Sequence, residues 1–104
     1  MTDSAAAETV PLDARAQEFM SHLATDRGAS VYTQRNYRQA LTEFTRWHQT
    51  ERQCPPPWTS LQRDDFRSYL RFLGRHDLSR AAIQLRFSAL RTFYKFLVRR
   101  GVLE

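Results

Sequence analysis

Between Ser79 and Arg99 the apolar residues recur along two adjacent ladders, and no other stretch restricts the fold as tightly. Ile83, Phe87, Leu90, Tyr94 and Leu97 make one ladder at helical spacing; Ala82, Leu85, Ala89, Phe93 and Phe96 make the second. Together they cover more than half of a helix circumference, so this helix is expected to be central and packed by its neighbours. What stays polar is a strip of Arg80, Gln84, Ser88, Arg91, Thr92, Lys95 and Arg99. Ser79 is placed to cap the helix and Gly101 to end it.

Three further helical segments precede it. Leu12, Ala16, Phe19, Met20 and Leu23 fall on one stripe of a 3.6-residue period, closed by Gly28. Ser30 or a neighbour caps the second helix, which runs to about Glu51. Its apolar stripe is Tyr37, Leu41, Phe44 and His48, and its opposite face carries Arg35, Arg38, Gln39, Thr42 and Arg46. Gln53 to Pro57 cannot continue a helix, because three prolines remove donors and bias the preceding residues toward extended backbone. The third helix starts near Gln62, with Asp64 and Asp65 in the first turn where the helix dipole favours carboxylates. Its stripe is Phe66, Tyr69, Leu70 and Leu73, and Gly74 is the expected stop. Residues 1–11 read as a disordered, Ala-rich leader.

The chain has 104 residues, enough for one domain with a single core. Its net charge of +5 is unevenly spread. Residues 1–30 carry five acids against Arg15 and Arg27, whereas the rest carries fourteen basic residues against six acids. From Leu78 to Leu103 there are six basic residues and no acid. Fifteen of the sixteen basic residues are arginine, whose planar fork suits phosphates and guanine edges. A rigid face of clustered arginines releases counterions from a duplex and binds with little further tuning. Exposed helix faces are also charged simply for solubility, and charge by itself leaves the two readings open; the acid-free fourth helix favours binding.

Several chemistries lack the residues they need. A lone cysteine, Cys54, forms no internal disulfide and fits a reducing compartment. His22, His48 and His76 lie in separate segments, outside any metal-ligand spacing. Tyr32, Tyr37, Tyr69 and Tyr94 lie on or near apolar stripes, where core packing is their expected role. Arg86 falls between the two apolar ladders and is expected to pair with a carboxylate such as Asp64 or Glu43. Neither a phosphate-binding glycine loop nor a nucleophile motif occurs, and neither does a signal peptide or an apolar run long enough for a membrane span.

From Leu12 to Glu104 the chain resembles the N-terminal core-binding domain of tyrosine recombinases, especially the Xer type. The resemblance is carried by Phe19 to Leu23 (FMSHL), Arg27 to Ser30 (RGAS), Tyr32 to Leu41 (YTQRNYRQAL), Phe44 with Trp47, Asp65 to Leu70 (DFRSYL) and Ser88 to Glu104 (SALRTFYKFLVRRGVLE). It implies an all-α, SAM-like four-helix orthogonal bundle of two crossed helical hairpins over residues 12–104. It also implies a clamp on double-stranded DNA in which the second and fourth helices face the major groove. The cutting tyrosine of such enzymes belongs to a separate C-terminal domain expected to be absent from this chain, so no tyrosine here is assigned that role and no catalytic residue is expected. Cleavage in the family needs no metal or nucleotide, so no cofactor is expected.

Carried over by position, Thr33, Arg35, Asn36, Arg38 and Gln39 match the DNA-facing start of helix two, with Arg46 further along that face. On helix four the matching residues are Arg80, Gln84, Ser88 and Arg91, with Lys95 continuing the strip. Ala82 and Leu85 stand where relatives often have serine and arginine, and Ala40 replaces a common aspartate. Phosphate contact is therefore the expected mode, ahead of base reading. The lone cysteine and the lack of a signal peptide or membrane span lead us to expect a cytoplasmic protein away from membranes. The resemblance further implies a parent enzyme that assembles as a tetramer on paired sites, this fragment by itself being a monomer. The setting stays open between chromosome partition at cell division, phage integration and mobile-element transfer. Two other classes fit the residues: a helical protein-interaction domain with a basic face, and a small helix-turn-helix transcription regulator.

Overall fold

The structure is a computed structural model and describes residues 11–103; the leader expected over residues 1–11 lies, but for Pro11, outside them. The described residues form four helices and no strand: α1 (Ala14–Thr25), α2 (Val31–Arg52), α3 (Arg63–Arg75) and α4 (Arg80–Arg99). They divide into two compact units, one ending at Pro55 and the other starting at Pro56. Each unit contains one helical hairpin.

In the first unit, Asp13 caps α1 by accepting from the Ala16 amide at 2.9 Å. Leu12, expected to open the helix, instead lies just outside it and is buried. Ala16, Phe19, Met20 and Leu23 are buried as their spacing requires. The chain leaves α1 through paired bonds, Arg27 N to His22 O at 3.1 Å and Ala29 N to Leu23 O at 2.9 Å. That reversal puts Gly28 at φ +58, left-handed backbone that glycine adopts without steric cost.

Ser30 caps α2, its Oγ accepting from the Thr33 amide at 3.0 Å. Leu41, Phe44, Trp47 and His48 are buried, and Tyr37, only half-buried, stacks on Phe19 at 6.1 Å. The His48 Nδ1–H donates to the Cys54 carbonyl at 2.8 Å and ties the end of α2 to the proline connector. Tyr32 departs from expectation. It is 70% exposed, not core.

In the second unit, the Gln62 amide donates to the Asp65 carboxylate at 2.7 Å at the start of α3. Tyr69 and Leu73 are buried, but Leu70 is 47% exposed. Gly74 does not stop the helix, which runs on to Arg75; Asp77, at φ +57, takes the left-handed position instead. Ser79 caps α4 through the Ala82 amide at 3.1 Å. The ladders of α4 are buried toward its C-terminal half, at Ala89, Leu90, Phe93, Phe96 and Leu97. Toward the N-terminus they open: Ala82, Ile83 and Phe87 are half-buried and Leu85 is 45% exposed. Arg86 donates to the Ala82 carbonyl of its own helix at 3.1 Å, while Asp64 lies 3.8 Å from Arg67.

Trp58 has no place in any periodic stripe, yet it is 4% exposed. Its ring meets Phe93 edge-on at 4.8 Å, and its carbonyl accepts from the Tyr94 hydroxyl at 2.7 Å. The loop after the prolines is thereby part of the core of this unit. Burial pushes the Tyr94 phenol well above the usual tyrosine range, and the Asp65 carboxylate adds to the rise. It remains a hydrogen-bond donor at any ordinary pH.

Candidate nucleic-acid interface

The strip on α2 begins at its cap. Ser30 Oγ donates to Thr33 Oγ1 at 3.1 Å while accepting from the Thr33 amide, so the Thr33 hydroxyl is already engaged in holding the first turn. Beyond it, Arg35, Arg38, Gln39 and Arg46 are exposed and Asn36 is half-buried. Their spacing keeps them along one side of the helix, opposite Leu41, Phe44 and His48. Gln39 donates to Glu43 at 3.0 Å, which removes one of its amide hydrogens from recognition. Val31 and Tyr32, each 70% exposed, lie beside this strip. Sequence reasoning missed them, because an apolar residue at a helix start reads as core.

On α4, Arg80, Gln84, Arg91 and Lys95 are exposed and Ser88 is half-buried. They follow one another on the polar side of the helix, as the two ladders require. Arg91 and Lys95 also border an apolar groove of about 610 Å³ between α3 and α4. Nothing in the periodicity of either helix announces that groove, since it exists only where two helices meet. The α2 set and the α4 set lie on different units and form two strips.

Several cations are engaged inside the chain. Arg15 lies 3.7 Å from Glu18, Arg52 stands over the Trp47 ring at 5.6 Å and Arg100 over Phe96 at 4.7 Å. Arg46 is also held by an intramolecular interaction. By contrast, Arg35, Arg38, Arg80, Arg91 and Lys95 make no ion pair among the described residues. Cations left in this state keep their full attraction for an external anion.

The histidines serve local structure. His22 meets Asp26 at 3.1 Å and His76 Nδ1 donates to the Phe72 carbonyl at 2.9 Å. Among the described residues no group of three His, Cys, Asp or Glu side chains could hold a metal, and no helix is long and apolar enough to cross a membrane.

The family model described as the phage integrase N-terminal SAM-like domain matches residues 16–101. The chain belongs to this family. Its all-α SAM-like fold follows from that membership and from the four helices. Among curated relatives, tyrosine recombinase XerC of Vibrio cholerae is 37% identical over 93% of this chain and 32% of its own length. XerC of Alcanivorax borkumensis is 34% identical over 81% of this chain and 26% of its own. Tyrosine recombinase XerD of Lacticaseibacillus casei is 33% identical over 84% of this chain and 28% of its own. The chain thus spans about a third or less of these relatives' lengths, and the match is to an N-terminal domain. No solved structure matches it.

Proposed function

We propose that this SAM-like domain clamps double-stranded DNA for a Xer-type site-specific tyrosine recombinase, holding the parent enzyme on a recombination half-site. Arg35 and Arg38 on α2, with Arg80, Arg91 and Lys95 on α4, are its phosphate-contacting cations. Asn36, Gln39, Gln84, Ser88 and Thr33 add polar contacts beside them, and Arg46 extends the α2 strip. One observation carries the reading: Arg35, Arg38, Arg80, Arg91 and Lys95, exposed and making no ion pair among the described residues, line two helices of a domain whose relatives are recombinases. The residues that cut and rejoin DNA belong, in this reading, to a second domain, and no tyrosine here is the nucleophile. Three other protomers of the recombinase join it in the cytoplasm, making a tetramer on two paired sites.

By itself this domain binds weakly, with a dissociation constant on the order of micromolar or poorer at physiological salt. The test is fluorescence anisotropy with a labelled duplex across a range of salt concentrations. The logarithm of affinity should fall linearly with the logarithm of salt. Arg35→Ala with Arg38→Ala should weaken binding and flatten that slope by about 2, roughly one per lost phosphate contact, with unchanged helicity by circular dichroism. Duplex affinity that is negligible at every salt concentration, or a double variant indistinguishable from the parent, would overturn the proposal.

A further inference from the structure

The groove on the second unit has an apolar floor and a cationic edge. Phe87, Leu90, Tyr94 and Val98 of α4 line it, and Phe66 of α3 closes the far side. The floor is preformed: the Tyr94 hydroxyl is held by the Trp58 carbonyl at 2.7 Å, and Phe66 meets the Tyr94 ring edge-on at 5.8 Å. Val98 is 48% exposed at one end, so the floor reaches solvent there. Arg91, Lys95 and Arg99 follow one another at four-residue spacing along the edge, and among the described residues no acid lines the groove.

Two features narrow the occupant. The trough follows α4 from Phe87 to Arg99, about 18 Å at 1.5 Å per residue, which suits an elongated partner of about three helical turns better than a compact small molecule. A duplex keeps its bases stacked and presents mainly phosphates and sugars, which find few partners on an aromatic and aliphatic floor. Three cations in a row beside such a floor complement a chain that offers carboxylates next to apolar side chains. We infer that the α3–α4 groove docks an acidic amphipathic helix of a partner protein, its apolar face on Phe66, Phe87, Leu90 and Val98 and its carboxylates on Arg91, Lys95 and Arg99. This surface goes beyond the duplex contact proposed above. Arg91 and Lys95 serve both, whereas the floor and Arg99 serve only the peptide.

The probe is a synthetic helical peptide of about 14 residues, with Leu and Phe at i, i+3, i+4 and i+7 and Glu on the flanking positions, plus its Lys-for-Glu counterpart. Either is titrated into the methyl-labelled 104-residue chain at about 50 mM salt and followed by NMR. The Glu peptide should shift the Leu90 and Val98 methyls saturably, and the Lys peptide should bind at least about ten-fold more weakly. Val98→Lys adds a cation and removes floor, at a position exposed enough to leave the fold intact. It should weaken the Glu peptide by about ten-fold or more, where attraction by charge alone would tighten it.

The inference is overturned by absent saturable shifts, by equal binding of the Lys peptide, or by unchanged or tighter binding to Val98→Lys. Dilution that shifts the same methyls without peptide would assign the groove to a second copy, and duplex affinity that falls with Val98→Lys, where the added charge alone would raise it, would assign the floor to nucleic acid; either result also overturns it. Arg35→Ala with Arg38→Ala should retain full peptide affinity, so failure of the groove and failure of the duplex reading are separately visible.

Discussion

Tyr94 combines two functions that a phenylalanine could not. Its ring walls the groove while its hydroxyl donates to the Trp58 carbonyl and fixes the loop after the prolines. Because burial raises the folded-state pKa above the ordinary 10.0, the protonated phenol stabilises the fold fully below about pH 10, and that contribution is lost as pH climbs toward the raised value. Tyr94→Phe should therefore cost about 0.5–1.5 kcal/mol at neutral pH and lose less stability than the parent on going to about pH 11, read from urea midpoints. Identical alkaline losses in both proteins would refute the assignment. Two glycines make opposite predictions from their backbones. Gly74 has helical backbone and open space where a Cβ would sit, so Gly74→Ala should stabilise by about 0.5–1 kcal/mol. Gly28 has equal space but sits at φ +58, so Gly28→Ala should destabilise by about 1–2 kcal/mol. Thermal melts of the two variants should move in opposite directions.

The helices themselves were legible where their signals are local. Ser30 and Ser79 cap α2 and α4 because a hydroxyl in extended backbone reaches the amide three residues on, a geometry set within one turn. Ser79→Ala should cost about 1 kcal/mol in a urea titration, with most helicity retained. An undiminished midpoint would show that the first turn of α4 is held by packing instead. Periodicity misled where burial depends on a neighbour. Leu70 and Leu85 share a face with core residues, yet they stay 47% and 45% exposed. Gly74 carries the usual stop signal, but the chain turns at Asp77, whose short polar side chain tolerates left-handed backbone. Trp58 was invisible because a loop residue has no period to belong to. In the candidate site, the exposed cations of α2 and α4 were legible from charge, whereas the groove needed Phe66 of α3 beside α4 and so could not be read from either helix.

Charge is unevenly distributed along the chain as a whole. Residues 1–30 carry five acids and two bases, while residues 31–104 carry fourteen bases and six acids, so the molecule is an electrostatic gradient along its sequence. Both proposed ligands, a duplex and an acidic helix, are anionic, so each acid of the chain lowers the net attraction that they meet. That effect is long-ranged only when the Debye length is long, about 10 Å at 0.1 M salt and more below it. Asp3→Asn with Glu8→Gln removes two charges without changing the length or the sequence of α2 and α4, and raises the net charge from +5 to +7. Duplex affinity of this variant should rise a few-fold at about 50 mM salt, and the two salt titrations should converge as ionic strength approaches about 1 M, where the screening length is only about 3 Å. An advantage that persists undiminished at high salt would mean that these acids act through a specific contact, and the field of the chain would not be what governs its affinity for polyanions.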